Sequence, residues 1–458
     1  MAANALNRHV ALVGFMGVGK STFVRPLAQR LGRPGYDIDE GATAFIAEHG
    51  IAAFRAHELQ KTLFSLEGRV PSVFALGGGA VTSDQIRDEL QRSAFTILLD
   101  VDVDTAWARA GGSDRPLAQD EQEFRRLYDE RQPLYREVAD AVANDIDGAL
   151  LAAAGVYHEP GSLERLGELV PGTGPVALVA DATVLGLHGQ RAKDALGDRL
   201  VSTHELPPGE QAKQLHVVER LWRELPIERS GTIVALGGGA TTDAAGFAAA
   251  TFMRGLDWVA VPTTLVGQVD AGIGGKTGID TAYGKNLVGS FHWPARVVID
   301  ETLLETLPER ERRQGLAELV KTQLLAGQAL DARGAAAYKA ALCLRDPHDR
   351  AERRWLNLGH TFGHALEAAS DYELGHGDAV ALGLLAALRL SGRDPQPVID
   401  ALDPQPVAVD RHRAWSALLR DKKRDPGKIN VVLLGDDGPY VEARSPEEVR
   451  SALDTLIR

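Results

Sequence analysis

Short apolar runs, each ending in glycine or an acidic turn, alternate with stretches of helical period through roughly the first third of the chain. His9–Gly14 and Val73–Leu76 lead into glycine, and Phe95–Asp100 ends in an acidic turn. Ser21–Leu31 and Gln122–Ala139 read as helices. This rhythm predicts a parallel sheet with helices on both faces. The pattern changes between Asp145 and Pro175, where an alanine-rich stretch is followed by Glu-Pro-Gly-Ser and Pro-Gly-Thr-Gly-Pro. A domain boundary is expected near residues 150–156. Beyond it, Val176–Ala180, Thr232–Leu236 and Trp258–Val261 read as buried strands, the second leading into Gly237-Gly-Gly239. From about Arg310 the period turns helical, over Gln314–Leu325, Arg353–Ala369, Gly377–Ser391 and Val449–Ile457. A strand pair is expected near Ile429–Leu434 and Tyr440–Ala443. The expected fold class is α/β. A parallel-sheet domain covers residues 1–152, an α/β half 153–313 and a mainly helical half 314–458, with a cleft between the two halves.

Bulk composition narrows the partners. The formal charge of −13 argues against nucleic acid or an anionic membrane and leaves small-molecule substrates. A single cysteine, Cys343, forbids an intramolecular disulfide and fits a reducing compartment. No apolar run approaches the ~18 residues of a membrane span. Met1 to His9 lack the charged-then-apolar layout of a signal peptide, so a cytoplasmic protein is expected.

Two stretches carry chemistry. Gly14-Phe-Met-Gly17-Val-Gly19-Lys20-Ser21 is a phosphate-binding loop between a strand and a helix. Its backbone N–H groups turn around phosphate oxygens, Lys20 reaches the terminal phosphates, and Ser21 is placed for Mg²⁺. Asn357-Leu-Gly-His360-Thr-Phe-Gly-His364 sets an amide and two imidazoles on one face of an expected helix. His376 follows and Glu318 precedes, completing the inventory of a catalytic divalent metal site. Spacing alone favours His360 and His364 as paired ligands. Ala235-Leu-Gly-Gly-Gly-Ala-Thr-Thr-Asp243 is a strand and glycine turn opening a helix, a geometry that admits a pyrophosphate. Lys276 and Lys285 sit on glycine-rich turns and suit an anionic substrate.

The residues around the phosphate loop sharpen the reading. Asp37-Ile-Asp39, Phe54-Arg55-x-x-Glu58, Gly77-Gly78-Gly79, Arg115-Pro-Leu and Arg131-Gln-Pro-Leu-Tyr135 follow in order. This set resembles the shikimate kinase family over residues 8–150, with its P-loop, nucleoside-monophosphate-kinase-like fold. The resemblance implies ATP and Mg²⁺ held by Gly14, Gly17, Gly19, Lys20, Ser21, Thr22, Arg109 and Arg115, with Asp37 fixing Mg²⁺ through water. It implies shikimate held by Asp39, Arg55, Gly78, Gly79 and Arg131, with Asp39 orienting the attacking oxygen and Arg115 in a lid. Guanidinium groups suit a planar carboxylate, and phosphoryl transfer needs positioning and charge neutralisation above all.

From Gly161-Ser-Leu through Gly209-Glu210-x-x-Lys213, the triple-glycine turn, Thr251-Phe-Met-Arg254-Gly and the histidine segment to Asp421-Lys422-Lys423, residues 156–458 resemble the 3-dehydroquinate synthase family. The resemblance implies NAD⁺ on Asp181, Glu210, Lys213, Gly238, Gly239, Asp243, Thr263, Thr264 and Lys285. It implies substrate on Asp270, Lys276, Asn286, Lys321, Lys339, Arg353 and Asn357, with Arg254 and Lys423 holding the phosphate-side charge. It assigns Zn²⁺ or Co²⁺ to Glu318, His360 and His376, and leaves His364 near the phosphate for proton transfer. It also implies a homodimer through this half, with Arg254 reaching a neighbouring copy.

The combined expectation is an enzyme with two activities. One phosphorylates shikimate with ATP; the other converts 3-deoxy-D-arabino-heptulosonate 7-phosphate to 3-dehydroquinate and phosphate. The residues leave two other readings open. The C-terminal half would be a different sugar-phosphate cyclase or a polyol dehydrogenase, or the N-terminal half a non-catalytic ATP-binding module. The Lys276, Lys339, Arg353 and Lys423 set favours an acidic phosphorylated substrate over a polyol.

Overall fold

A computed structural model describes residues 4–112, 116–421 and 427–458. The chain divides into two compact units, Met1–Tyr157 and His158–Arg458.

In the first unit, β1 (His9–Val13), β2 (Gly35–Asp37), β3 (Val73–Ala75), β4 (Ala94–Leu99) and β5 (Ala141–Ala143) form one sheet in the order β2-β3-β1-β4-β5. Every pair is parallel. The central strand β1 is buried along its whole length, as a strand covered on both faces must be. The order reverses beside β1, so the carboxyl end of β1 and the loop after it lie at a topological switch point. The helix Lys20–Leu31 starts there, and Gly19 sits just before it at φ 102°. That backbone conformation lets the loop N–H groups converge.

The second unit opens at β6 (Val156–His158), which spans the junction. Its main sheet adds β7 (Val176–Asp181), β8 (Leu200–Leu206), β9 (Thr232–Gly237), β10 (Asp257–Pro262) and β13 (Arg296–Ile299) in the order β6-β13-β10-β9-β7-β8. Between β10 and β13 an antiparallel hairpin intervenes, β11 (Lys276–Thr281) and β12 (Gly284–Phe291). Sequence pattern suggested only glycine-rich turns here. The hairpin's alternation is blurred because β12 leaves most of its residues exposed, so no apolar face marks it.

A helical half follows, with Glu309–Ala326, Ala332–Arg345, His360–Ala369 and His376–Leu390 as its principal helices and an antiparallel pair β14 (Ile429–Gly435) and β15 (Gly438–Arg444). Its core joins Leu358, Phe362 and Leu366 to Val380, Leu384, Leu388, Leu433 and Leu453. The expected single helix over Arg353–Ala369 is broken. Glu352–Asn357 is a 3₁₀ turn, and Gly359 takes φ 80° ahead of the helix His360–Ala369. A Cβ on Gly359 would fall 2.9 Å from the Leu384 backbone nitrogen, and one on Gly383 would fall 2.0 Å from the Gly359 carbonyl oxygen. The two helices therefore touch backbone to backbone, which fixes His360 relative to His376–Leu390. Asn357 consequently lies outside the helix that carries His360 and His364.

Asp300, fully buried after β13, ties the sheet to the segment beyond β6. Its Oδ1 accepts from Gly161 N and Thr302 N, both at 3.0 Å, and its Oδ2 accepts from Leu163 N at 3.0 Å. Burial alone pushes this carboxyl's pKa up, but the backbone N–H of Leu163, the Thr302 hydroxyl and the N–H of Gly161 outweigh it and hold it below its ordinary value. Asp300→Asn sets an amide NH₂ against a backbone donor whichever way it is turned. We expect a loss of about 1–3 kcal/mol in chemical denaturation at neutral pH. A depressed carboxyl pKa contributes stability above its unfolded value of ~3.9 and loses it as pH falls through the folded value. The gap between wild type and variant should therefore shrink below about pH 4.

Candidate active sites

In the first unit, the glycine loop closes tightly on its neighbours. A Cβ on Gly14 would lie 2.6 Å from the Leu99 carbonyl oxygen, and one on Gly17 would lie 2.4 Å from that of Ala106. The Lys20 ammonium folds back over the loop and donates to the carbonyls of Gly14 (2.7 Å) and Phe15 (2.9 Å). Ser21 and Thr22 are exposed beside it, at the positive end of the helix. Asp37 Oδ1 accepts from Asp39 N at 3.0 Å, shaping the turn after β2. Arg109 is exposed on the helix Val103–Ala110. Arg115 lies outside the described residues.

A second cluster gathers around Gly77–Gly79. Arg55 donates to Glu58 at 2.5 Å, and a Cβ on Gly79 would meet the Arg55 guanidinium at 2.2 Å. A Cβ on Gly77 would meet Glu58 Oε1 at 2.0 Å and Asp39 Oδ1 at 2.9 Å. Only glycine lets these side chains lie against the backbone. The Gly78 carbonyl accepts from Arg131 (3.1 Å) and from the Tyr135 hydroxyl (2.5 Å). Burial raises the Glu58 pKa while Arg55 opposes it. Two guanidinium groups and the Glu58 carboxylate thus gather on the largely buried Gly77–Gly79 backbone, a donor and acceptor set that suits a small polyhydroxylated acid. Glu58 and Tyr135 stood in the motifs without assigned roles. Their positions one turn from Arg55 and Arg131 were the available signal.

In the second unit, three ligand-bearing residues converge. The nearest donor atoms of Glu318, His360 and His376 lie within 4.8 Å of one another. His376 Nε2 stands 3.1 Å and His360 Nε2 3.4 Å from Glu318 Oε1. Atoms ~2.0–2.2 Å from a zinc ion stand roughly 3.3–3.6 Å apart in a tetrahedron, so the set fits a divalent cation. The Nδ1 of His360 faces the Leu358 carbonyl at 3.2 Å, and that of His376 faces Glu367 at 3.4 Å. Both Nδ1 atoms are thereby committed, leaving each Nε2 for a metal. Burial raises the Glu318 carboxyl's pKa, but Lys321, His360 and His376 outweigh it and hold it well below the carboxylate range. Burial lowers the His376 pKa, yet Glu318 and Glu367 carry it to about 10. The two flanking carboxylates thus favour the protonated ring, with which a metal ion bound at Nε2 would compete. His364 is exposed, its ring centroid 5.3 Å from that of His360. The i,i+4 pair favoured by spacing thus gives way to a set drawn from three helices.

Buried cations surround this centre. Lys321 reaches both Glu318 and Asp270, and Lys339 donates to Asp270 at 2.7 Å. Burial raises the Asp270 carboxyl's pKa, and the two lysines reverse this and hold it low. Arg353 is 1% exposed, and its Nε and Nη2 have no hydrogen-bond partner among the described residues. A buried guanidinium with idle donors is a ready receptor for an anionic oxygen. Lys276, on β11, pairs with Asp349 at 2.5 Å. Asn357 is half-buried on the 3₁₀ turn. Arg254 is exposed on left-handed backbone at φ 69°. Lys423 lies outside the described residues.

Along the carboxyl edge of the sheet stands a further group. Asp181 accepts from the N–H groups of Thr183 (3.0 Å) and Val184 (3.1 Å) and from the Thr241 hydroxyl (3.3 Å). Gly238 is the N-cap of the helix Gly239–Thr251, and a Cβ there would lie 3.1 Å from Thr264. Thr263 is buried, and Thr264 Oγ1 accepts from Gly267 N at 3.0 Å. A Cβ on Gly239 would lie 3.2 Å from Ala271. Lys213 donates to Asp243 at 2.7 Å and also to Asn286, and Lys285 approaches Glu210 at 3.5 Å. Burial depresses the Lys213 pKa, but Asp243 and Glu210 raise it overall. Asn286 thus stands with the residues expected to hold a dinucleotide.

Glu367 and Asp349 had no place in the sequence reading. Glu367 follows His360 by seven residues, so the helix face that bears His360 pointed to it. Asp349 lies in a loop at φ 56° and gave no periodic signal.

Comparison with known proteins bears on both units. Residues 16–150 match the family model described as shikimate kinase. Residues 203–314 match that for the 3-dehydroquinate synthase N-terminal part, and 297–397 that for its C-terminal part. A 3-dehydroquinate synthase of Rhodospirillum rubrum is 41% identical over 61% of this chain and 85% of its own length. One from Symbiobacterium thermophilum is 36% identical over 66% of this chain and 98% of its own. Among solved structures, a 2-epi-5-epi-valiolone synthase from Streptomyces hygroscopicus with NAD⁺ and Zn²⁺ bound is 25% identical, with a TM-score of 0.55, over 66% of this chain and 96% of that one. Beyond residue 157, then, the chain belongs to the 3-dehydroquinate synthase family, and ahead of that part it carries a shikimate kinase domain.

Proposed function

We propose that the protein catalyses two reactions of the shikimate pathway. Residues 1–152 transfer the γ-phosphoryl group of ATP to shikimate, giving shikimate 3-phosphate. Residues 153–458 convert 3-deoxy-D-arabino-heptulosonate 7-phosphate to 3-dehydroquinate with loss of phosphate, the half 153–313 holding NAD⁺ and the half 314–458 the metal. The observation that carries the synthase reading is the joining of Glu318, His360 and His376 to the buried lysine Lys321 and, through Asp270, to Lys339.

In the kinase half, Gly14, Gly17, Gly19, Lys20 and Thr22 bind the phosphates, and Ser21 and Asp37 hold Mg²⁺. Arg109 and Arg115 cover the nucleotide. Arg55 and Arg131 clamp the shikimate carboxylate, while Gly78, Gly79 and Asp39 orient the hydroxyls. Glu58 keeps Arg55 aimed, through its 2.5 Å contact. Catalysis here is alignment plus neutralisation of the transferring group's charge by Lys20 and Arg115.

In the synthase half, Asp181, Glu210, Lys213, Gly238, Gly239, Asp243, Thr263, Thr264 and Lys285 bind the dinucleotide. Glu318, His360 and His376 hold Zn²⁺ or Co²⁺. When bound, NAD⁺ supplies a temporary hydride acceptor and the metal ion a Lewis acid for the substrate hydroxyls. Asp270, Lys321, Lys339 and Asn357 orient those hydroxyls, and Asn286 joins them from the β12 side. Arg353 takes the substrate carboxylate onto its idle donors, and Lys276, Arg254, Lys423 and His364 neutralise the departing phosphate and move its proton. Burial of Lys321, Lys339 and Arg353 strengthens their contacts relative to water. In this reading Arg254 serves a second copy of the chain, consistent with its exposed position, and the protein is a homodimer. Among the described residues no helix is long and apolar enough to cross a membrane. We place both reactions in the cytoplasm, in keeping with a single, buried, free cysteine.

Two measurements test the halves separately. Full-length protein with ATP and Mg²⁺ should release ADP only when shikimate is present. Lys20→Ala and Arg131→Ala should each lower kcat/KM by about 10²–10³-fold, and ADP release independent of shikimate would refute the acceptor. For the synthase, phosphate release from the heptulosonate phosphate should require NAD⁺, without NADH accumulating. It should vanish with a chelator and in Glu318→Gln, and fall about 10²–10³-fold in Arg353→Ala. Accumulating NADH would identify a dehydrogenase instead.

A further inference from the structure

His376 is the most exposed of the three residues that converge on the metal position, with 36% of its side chain accessible against none of Glu318 and 11% of His360. It is also the first residue of its helix, where backbone N–H groups lack intrahelical partners and ends fray. A ligand in that position needs outside support to hold a fixed place.

Two buried side chains supply it. Gln314 is 6% exposed and lies one helical turn before Glu318 on the helix Glu309–Ala326. Its Oε1 accepts from Gly377 N at 2.5 Å and lies 3.4 Å from Asp378 N, while its Nε2 donates to Asp378 Oδ2 at 3.0 Å. It thus caps the helix that begins at His376, and does so from the helix that carries Glu318. The fit is close. A Cβ on Gly375 would lie 2.6 Å from Gln314 Oε1, and one on Gly377 would lie 2.4 Å from Gln314 Cα. The second support is Glu367, 7% exposed, whose Oε1 faces His376 Nδ1 at 3.4 Å.

We propose that Gln314 and Glu367 are positioning residues of the metal centre: Gln314 sets the backbone of His376 against Glu318, and Glu367 sets the rotation and tautomer of its imidazole. The inference rests on the metal reading above. Gln314 acts at the main chain and Glu367 at the ring, so the two act independently. A hydrogen-bonded carboxylate on Nδ1 also makes Nε2 a better donor to a cation.

Metal affinity tests this without reference to turnover. The full-length protein, stripped of metal, is titrated with Co²⁺ against a competing chelator, and the visible spectrum of bound Co²⁺ is recorded. Glu367→Ala is expected to weaken Co²⁺ binding about 10–100-fold and to shift the ligand-field bands. Glu367→Gln keeps an acceptor but no charge and should fall between wild type and alanine. Gln314→Ala should weaken binding by a similar factor although it touches no ligand side chain. Thermal unfolding of the metal-free variants separates these effects from loss of folding, and the near-isosteric Glu367→Gln retains the test if an alanine variant fails to fold. Wild-type affinity and spectrum in folded Glu367→Ala and Gln314→Ala, with binding lost in Glu318→Ala, would overturn the positioning roles alone. Undiminished binding in Glu318→Ala would overturn the metal reading and the inference with it.

Discussion

Glu318 is a carboxylate with no access to water, and the second unit is arranged to tolerate it. An isolated buried charge costs several kcal/mol, and only close, well-oriented partners offset that cost. Glu318 has Lys321 one turn away and His360 and His376 across from it. Lys321 in turn shares Asp270 with Lys339, so alternating charges run through the interior of the site. Taking away one member leaves another unpaired, which makes the set a single unit. The same network leaves His360 and His376 with their Nε2 atoms gathered on one carboxylate oxygen, the arrangement a cation would adopt as its own.

Helix packing serves this constraint. Three separate helices contribute Glu318, His360 and His376, so their spacing must hold to fractions of an ångström. Side-chain packing alone leaves more freedom than that. Here backbone meets backbone at Gly359 and Gly383, and a glutamine side chain meets the main chain at Gly377. These contacts have almost no slack, since a single added methyl group would collide at each.

Anion recognition takes a different form in each unit. For phosphate the first unit presents a glycine loop and one lysine at a helix N-terminus, a local device whose parts are adjacent in sequence. The second spreads its cations over β11, the helices Glu309–Ala326 and Ala332–Arg345, and the 3₁₀ turn Glu352–Asn357. Arg353 illustrates the second form. It is buried against Gly274, with the Phe291 ring 5.8 Å away and its Nη1 donating to the Pro347 carbonyl at 3.1 Å, so its own loop and segments distant in sequence set its place together.

Alternating strands and helices in residues 1–152, the phosphate loop, the main strands of the larger unit and the identity of the metal-binding residue types could all be read from the chain itself. They are set by local chemistry: burial of apolar runs, glycine at turns, and imidazole and carboxylate groups in one neighbourhood. Tertiary structure decided the rest. It broke the expected helix at Gly359, because close approach to Leu384 demands a backbone that helical periodicity does not report. It turned the stretch around Lys276 and Lys285 into an exposed hairpin whose weak alternation hid it. It brought Asn286 to Lys213, and gave Glu367 and Gln314 their contacts with His376 and the backbone beside it. Sequence order carries which groups are available. Which of them meet depends on contacts between residues tens of positions apart, and those exist only once the helices have packed.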